Sequence, residues 1–143
     1  MKFDKFFKMA GTHGQVVVTA ADNRWLLFDG VGMKIPNGVN TFGAVVESDD
    51  MFEAILTADI EDDILDLVRA ELPADGKPSD IDRVFATNLE DEVAISNAKY
   101  GLLEKSDRLV YLEIEDAEGI THKYVLITDI RGEEILGFIA GKE

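Results

Sequence analysis

From Val110 onward the chain alternates in the way that only a pair of strands explains. Val110, Leu112 and Ile114 are separated by Tyr111, Glu113 and Glu115, and a second apolar run, Ile120–Asp129, follows Asp116-Ala117-Glu118-Gly119. A period of two sends successive side chains to opposite faces of a pleated strand, so one face packs while the other meets water. A return over so few residues needs a positive φ near its tip, and Gly119 adopts one without a Cβ clash. Gly132 marks a further turn into a last strand, Ile135–Ile139. The C-terminal half therefore reads as an antiparallel meander.

The rest of the chain adds helix to this sheet. Phe3, Phe6, Phe7 and Ala10 recur at i, i+3, i+4 and i+7, with Lys2, Lys5 and Lys8 elsewhere on the cylinder. This predicts a short amphipathic helix over Phe3–Ala10, stopped by Gly11 and Gly14. Gln15–Ala20 and Trp25–Phe28 flank Asp22-Asn23, a turn pair in which both residues tolerate the left-handed region. Val16, Val17 and Val18 are apolar without alternation, as in a strand covered on both faces. Gly30, Gly32, Pro36, Gly38 and Gly43 predict an irregular, turn-rich stretch, with a short strand at Val45-Val46.

Asp50 and Glu53 resemble a helix-opening pair ahead of Phe52, Ile55 and Leu56. Ile60, Ile64, Leu67, Val68 and Leu72 continue at helical spacing until Pro73, so helix is expected within 50–72, with a strand over Ile64–Leu72 as the less favoured alternative. Ala74–Asp80 has loop composition, Arg83–Thr87 reads as a short strand, and Glu92–Leu103 fits strand or helix. The fold class is α+β: a mainly antiparallel sheet with an N-terminal helix and helix within 50–72. With 143 residues and 46% apolar side chains, 1–143 is expected to form one globular domain.

Composition narrows the function. The chain has no cysteine, so no disulfide and no thiolate metal site can form. No apolar core of a signal peptide follows the first lysines, and no run approaches the ~20 apolar residues of a bilayer span. A cytoplasmic protein is expected. There are 29 acidic and 14 basic side chains, a net charge of −15. Such a balance disfavours direct binding to nucleic acid or to an anionic membrane. Residues 1–47 hold five bases and four acids, so the whole excess lies beyond Glu47.

No motif carries covalent chemistry. Ser48, Ser79, Ser96 and Ser106 lie outside any Gly-x-Ser-x-Gly turn, and His13 and His122 read most simply as structural residues. Gly11-Thr12-His13-Gly14 and Gly30-Val31-Gly32 lack the remaining features of phosphate loops and read as turns. Asp59, Asp62, Asp63 and Asp66 would share one side of a helix. They lack the glycine and the wrapping order of a calcium loop. No catalytic residue, cofactor or dedicated metal site is expected. Phe3, Phe6 and Phe7 suit docking on the chain's own sheet or on another subunit better than a membrane anchor.

One segment stands out. Between Ser48 and Asp66 lie Asp49, Asp50, Glu53, Asp59, Glu61, Asp62, Asp63 and Asp66, with no base among them. As one helix these nineteen residues would extend ~28 Å. Eight charges along it would average one per ~3.6 Å, close to the ~3.4 Å phosphate spacing of a DNA strand. The function expected is a non-catalytic acidic interaction or assembly protein, of a kind that suits a phage or other mobile element. Its partner would be a protein with a basic surface, or a second copy in a homo-oligomer. The alternatives are an acidic mimic of nucleic acid that blocks a DNA- or RNA-binding protein, and a carboxylate-dependent metal-binding protein.

Overall fold

Two meanders, one from each end of the chain, join edge to edge into a single sheet. The computed structural model describes residues 1–41, 44–58, 68–69, 83–87 and 91–142. The chain begins with helix α1 (Phe3–Gly14) and continues through strands β1 (Val16–Ala20), β2 (Asn23–Phe28), β3 (Val31–Lys34) and β4 (Ala44–Glu47). Helix α2 (Asp50–Leu56) follows, then strands β5 (Val68–Arg69), β6 (Arg83–Ala86) and β7 (Glu92–Ile95). Helix α3 (Asn97–Tyr100) leads into strands β8 (Arg108–Glu115), β9 (Thr121–Thr128) and β10 (Ile135–Ala140). The large sheet runs β4-β1-β2-β3-β10-β9-β8, and β5-β6-β7 form a smaller one. All neighbours are antiparallel except β1 and β4, which run parallel from Val16↔Ala44 to Thr19↔Glu47. The architecture is α+β with the C-terminal meander in place.

Burial explains the missing alternation in β1. Val17, Leu26, Val125, Ile127 and Ile139 face one side of the large sheet and cluster with Phe6, Phe85, Ile95 and Leu102. Their immediate neighbours Val18, Trp25, Leu126 and Phe138 face the other side and cluster with Phe52 and Ile55 of α2. The sheet is therefore the middle of three layers. Helix α1 and the small sheet lie on one face and α2 on the other. Each buried side chain of this size contributes about 1.5–3 kcal/mol. Rings reinforce the α2 side, where Phe52 meets both Trp25 and Phe138 edge-on at 5.9 Å.

Local chemistry sets most element ends, and several differ from expectation. Helix α1 breaks at Gly11 as expected, with φ 64 and ψ 177, but one further turn follows instead of a stop. Ala21 and Asp22 occupy the positive-φ turn positions (φ 51 and 61), one residue before the expected Asp22-Asn23 pair. Asn23 instead opens β2, and its amide donates to the Ala21 carbonyl at 2.9 Å. The stretch read as irregular contains β3, because its glycines serve it instead of breaking it. Gly30 takes the turn at φ 76, and Gly32 leaves room for the Phe138 ring, which a Cβ would overlap.

Among the described residues of 50–72, the helix is Asp50–Leu56. Val68 and Arg69, where helix was favoured over strand, form β5 and pair with Ala86 and Phe85. A β-branched valine with a strand available beside it satisfies its backbone there, and that overrides weak helical periodicity. Ile60, Ile64, Leu67 and Leu72 lie outside the described residues. The ambiguous segment Glu92–Leu103 is both things in turn: β7, then α3, which Ser96 caps by accepting from the Lys99 amide at 3.2 Å. No helix among the described residues is long and apolar enough to cross a membrane.

Candidate functional site

The start of α2 and the turn between β8 and β9 face each other across a groove of about 490 Å³. Each wall follows from local sequence. Asp49 stands in extended conformation (φ −97, ψ 175), and its Oδ1 accepts from the Phe52 amide at 2.8 Å. Asp49 is therefore the N-cap, where Asp50 with Glu53 had been expected to open the helix. Glu53 falls one residue beyond the position from which it could reach back to the cap amide. Its carboxylate accepts instead from the Ser48 hydroxyl at 2.5 Å. Acidic side chains in a first helical turn also complement the positive end of the helix dipole.

The opposite wall is organised by Asp116. Its Oδ1 accepts from the amides of Glu118 and Ile120, each at 2.9 Å, and its Oδ2 from His122 Nε2 at 2.8 Å. Gly119 at φ 82 closes the turn, as the alternating pattern required. Donation from His122, followed by that from the Ile120 amide, holds the Asp116 carboxyl below the ordinary aspartate value.

Five carboxylates therefore line the groove: Asp49, Asp50, Glu115, Asp116 and Glu118. Asp49 and Asp116 already hold backbone amides in place, whereas Asp50, Glu115 and Glu118 are exposed. Met51, Ala54 and Ile114 supply an apolar floor, and among the described residues no lysine or arginine lines the groove. Chemically this is a cation-attracting rim around a patch able to bury an apolar side chain.

Of the acidic residues singled out by sequence, Asp49 and Asp50 line the groove, and Glu53 lies on α2 outside its lining. Asp59, Glu61, Asp62, Asp63 and Asp66 lie outside the described residues. The continuous acidic helix imagined over Ser48–Asp66 does not form, because α2 ends at Leu56. Thr57 caps that end, its hydroxyl donating to the Glu53 carbonyl at 2.8 Å. Of the residues that complete the groove, Glu115 was legible only as a polar strand position, and Asp116 and Glu118 only as residues of a turn.

Phe6 is fully buried in the core. Phe3 and Phe7 pack against it, with their own rings 5.8 Å apart. Of the serines, Ser48 bonds Glu53, Ser96 caps α3 and Ser106 is exposed. Ser79 lies outside the described residues. His122 is bound to Asp116. Among the described residues no three His, Asp or Glu side chains are placed to hold a metal ion. Tyr111 is held protonated: burial, then donation to Glu113 Oε2 at 2.8 Å, pushes its phenol well above the ordinary value.

Comparison with known proteins finds no match: no family model, no curated protein and no solved structure is significantly similar to this chain.

Proposed function

We propose that this chain is a non-catalytic acidic interaction protein that seats a basic segment of a partner protein in the groove between α2 and the β8–β9 turn. The observation that carries the reading is the coincidence of an apolar floor with a rim of one charge sign. Charge alone is a weak adhesive at a wetted surface, about 0.2–1 kcal/mol for each exposed ion pair. It steers encounter and rejects acidic competitors, while burial on Met51 and Ile114 adds affinity that salt does not screen. A segment that places one apolar side chain between lysines or arginines satisfies both requirements.

A fluorescent peptide with a central leucine flanked by lysines tests the reading by anisotropy at low and physiological salt. The expected result is saturable binding that weakens with salt. It should weaken by roughly tenfold in the triple variant Asp50→Asn/Glu115→Gln/Glu118→Gln, as for the loss of about 1.4 kcal/mol. These three side chains are exposed, so the fold should be unaffected. Equal affinity for the triple variant, or for a peptide with glutamates in place of lysines, would count decisively against the groove.

A further inference from the structure

The large sheet ends in two unlike edges. β8 carries Arg108, Glu113 and Glu115, charged side chains of the kind that keep a free edge from pairing. β4 carries none of the usual guards except Glu47 at its end: Ala44–Glu47 has no lysine, no proline and no bulge. Its inner side pairs with β1, and among the described residues no strand pairs with its outer side. Val45 is 73% exposed and Val46 42% exposed. The alternation of the strand sends them to opposite faces of the sheet.

We propose that β4 accepts an extended, lysine- or arginine-bearing segment of a partner protein as an eighth strand of the large sheet. Main-chain hydrogen bonds to the free edge would provide general affinity, and the two faces would read alternate side chains. On the Val46 face lies a groove of about 220 Å³, walled by Val46, Phe52, Ile55 and Phe138, with Glu47, Ser48 and Asp49 also among its lining. Apolar residues of the incoming strand belong there. On the other face Val45 is followed two residues later by Glu47, so basic residues belong on that side.

Charge selects the occupant. Glu47, Asp49, Asp50 and Glu53 follow the exposed valines, and no lysine or arginine occurs from Val45 to Ala58. A second copy would bring the same carboxylates to the seam. A basic strand escapes that repulsion. This inference rests on an edge that is unpaired among the described residues, and it does not require the groove beside the β8–β9 turn to be occupied.

The test is titration of the ¹⁵N-labelled full chain with the alternating peptide (Lys-Val)4, with (Lys-Ser)4 as control. Saturable amide shifts centred on Val45, Val46 and Glu47 are expected, with (Lys-Ser)4 at least about tenfold weaker. Val45→Lys should weaken (Lys-Val)4 by roughly tenfold, the equivalent of one or two net hydrogen bonds, at unchanged thermal stability. The triple variant in the other groove should leave the β4 shifts intact, so the two proposals fail separately. Shifts confined to Glu115–Glu118, equal binding of (Lys-Ser)4, or indifference to Val45→Lys would overturn the strand addition. So would a peptide-free dimer that perturbs the same β4 amides.

Discussion

Asp116 and His122 meet across the β8–β9 turn, with Nε2 2.8 Å from Oδ2. The histidine is the largest cause of the lowered Asp116 titration, ahead of the turn amides. An acid whose folded pKa lies below its unfolded one contributes stability above the unfolded value. That contribution disappears as pH falls through the folded value. His122→Ala should therefore move the Asp116 midpoint upward, toward the ordinary aspartate range, when followed by carboxyl ¹³C shifts. If the midpoint stays in place, the amides of Glu118 and Ile120 hold the carboxylate by themselves.

The α-amino group of Met1 lies 2.9 Å from Asp107 Oδ1, and both side chains are almost fully buried. Oδ2 of the same carboxylate accepts from the Glu104 amide at 2.9 Å. Removing one member of a buried pair leaves the other charge without compensation. Asp107→Ala should cost about 1–3 kcal/mol in urea unfolding, as for the loss of a part-buried charged hydrogen-bond acceptor. Asp107→Asn, which keeps an acceptor for Glu104, should cost less. Equal losses in the two variants would mean that the ion pair contributes nothing beyond a hydrogen bond.

Gly32 is required by packing and not by backbone conformation. A methyl group there would overlap the Phe138 ring and approach Leu27 Cδ2 to 2.9 Å. Phe138 cannot swing aside, since it is itself buried and packed edge-on by Phe52 and Tyr124. Gly32→Ala should destabilise the fold by about 1–3 kcal/mol, as overpacked cores do. A neutral result in thermal unfolding would mean that the join between β3 and β10 is looser than the contacts indicate.

Trp25 is the only tryptophan and is 2% exposed, so its emission reports the α2 layer alone. Truncating Phe52 to alanine removes the ring that closes over it. The expected loss is about 3–5 kcal/mol, with a red shift of native-state emission as water reaches the indole. Unchanged emission would show that α2 does not shield Trp25.

Several of these features are local and could be read from residue order alone. The alternation in β8 with Gly119 at the tip set the C-terminal hairpin. The spacing of Phe3, Phe6 and Phe7 marked the apolar face of α1, and unbroken Val16-Val17-Val18 required cover on both sides of a strand. Each depends on periodicity along a few neighbouring residues. Other features depend on what lies alongside. β3 is a strand because β2 and β10 flank it, and Val68–Arg69 is extended because β6 stands beside it. No pattern within either segment records its neighbour. Likewise Asp50 and Glu115 are distant in the chain, and only the packing of α2 against β8 places them on one groove. Sequence set the sign and number of the charges. Their gathering into a rim around an apolar floor was decided by tertiary contacts, since strand pairing and layer stacking bring together residues that share no local signal.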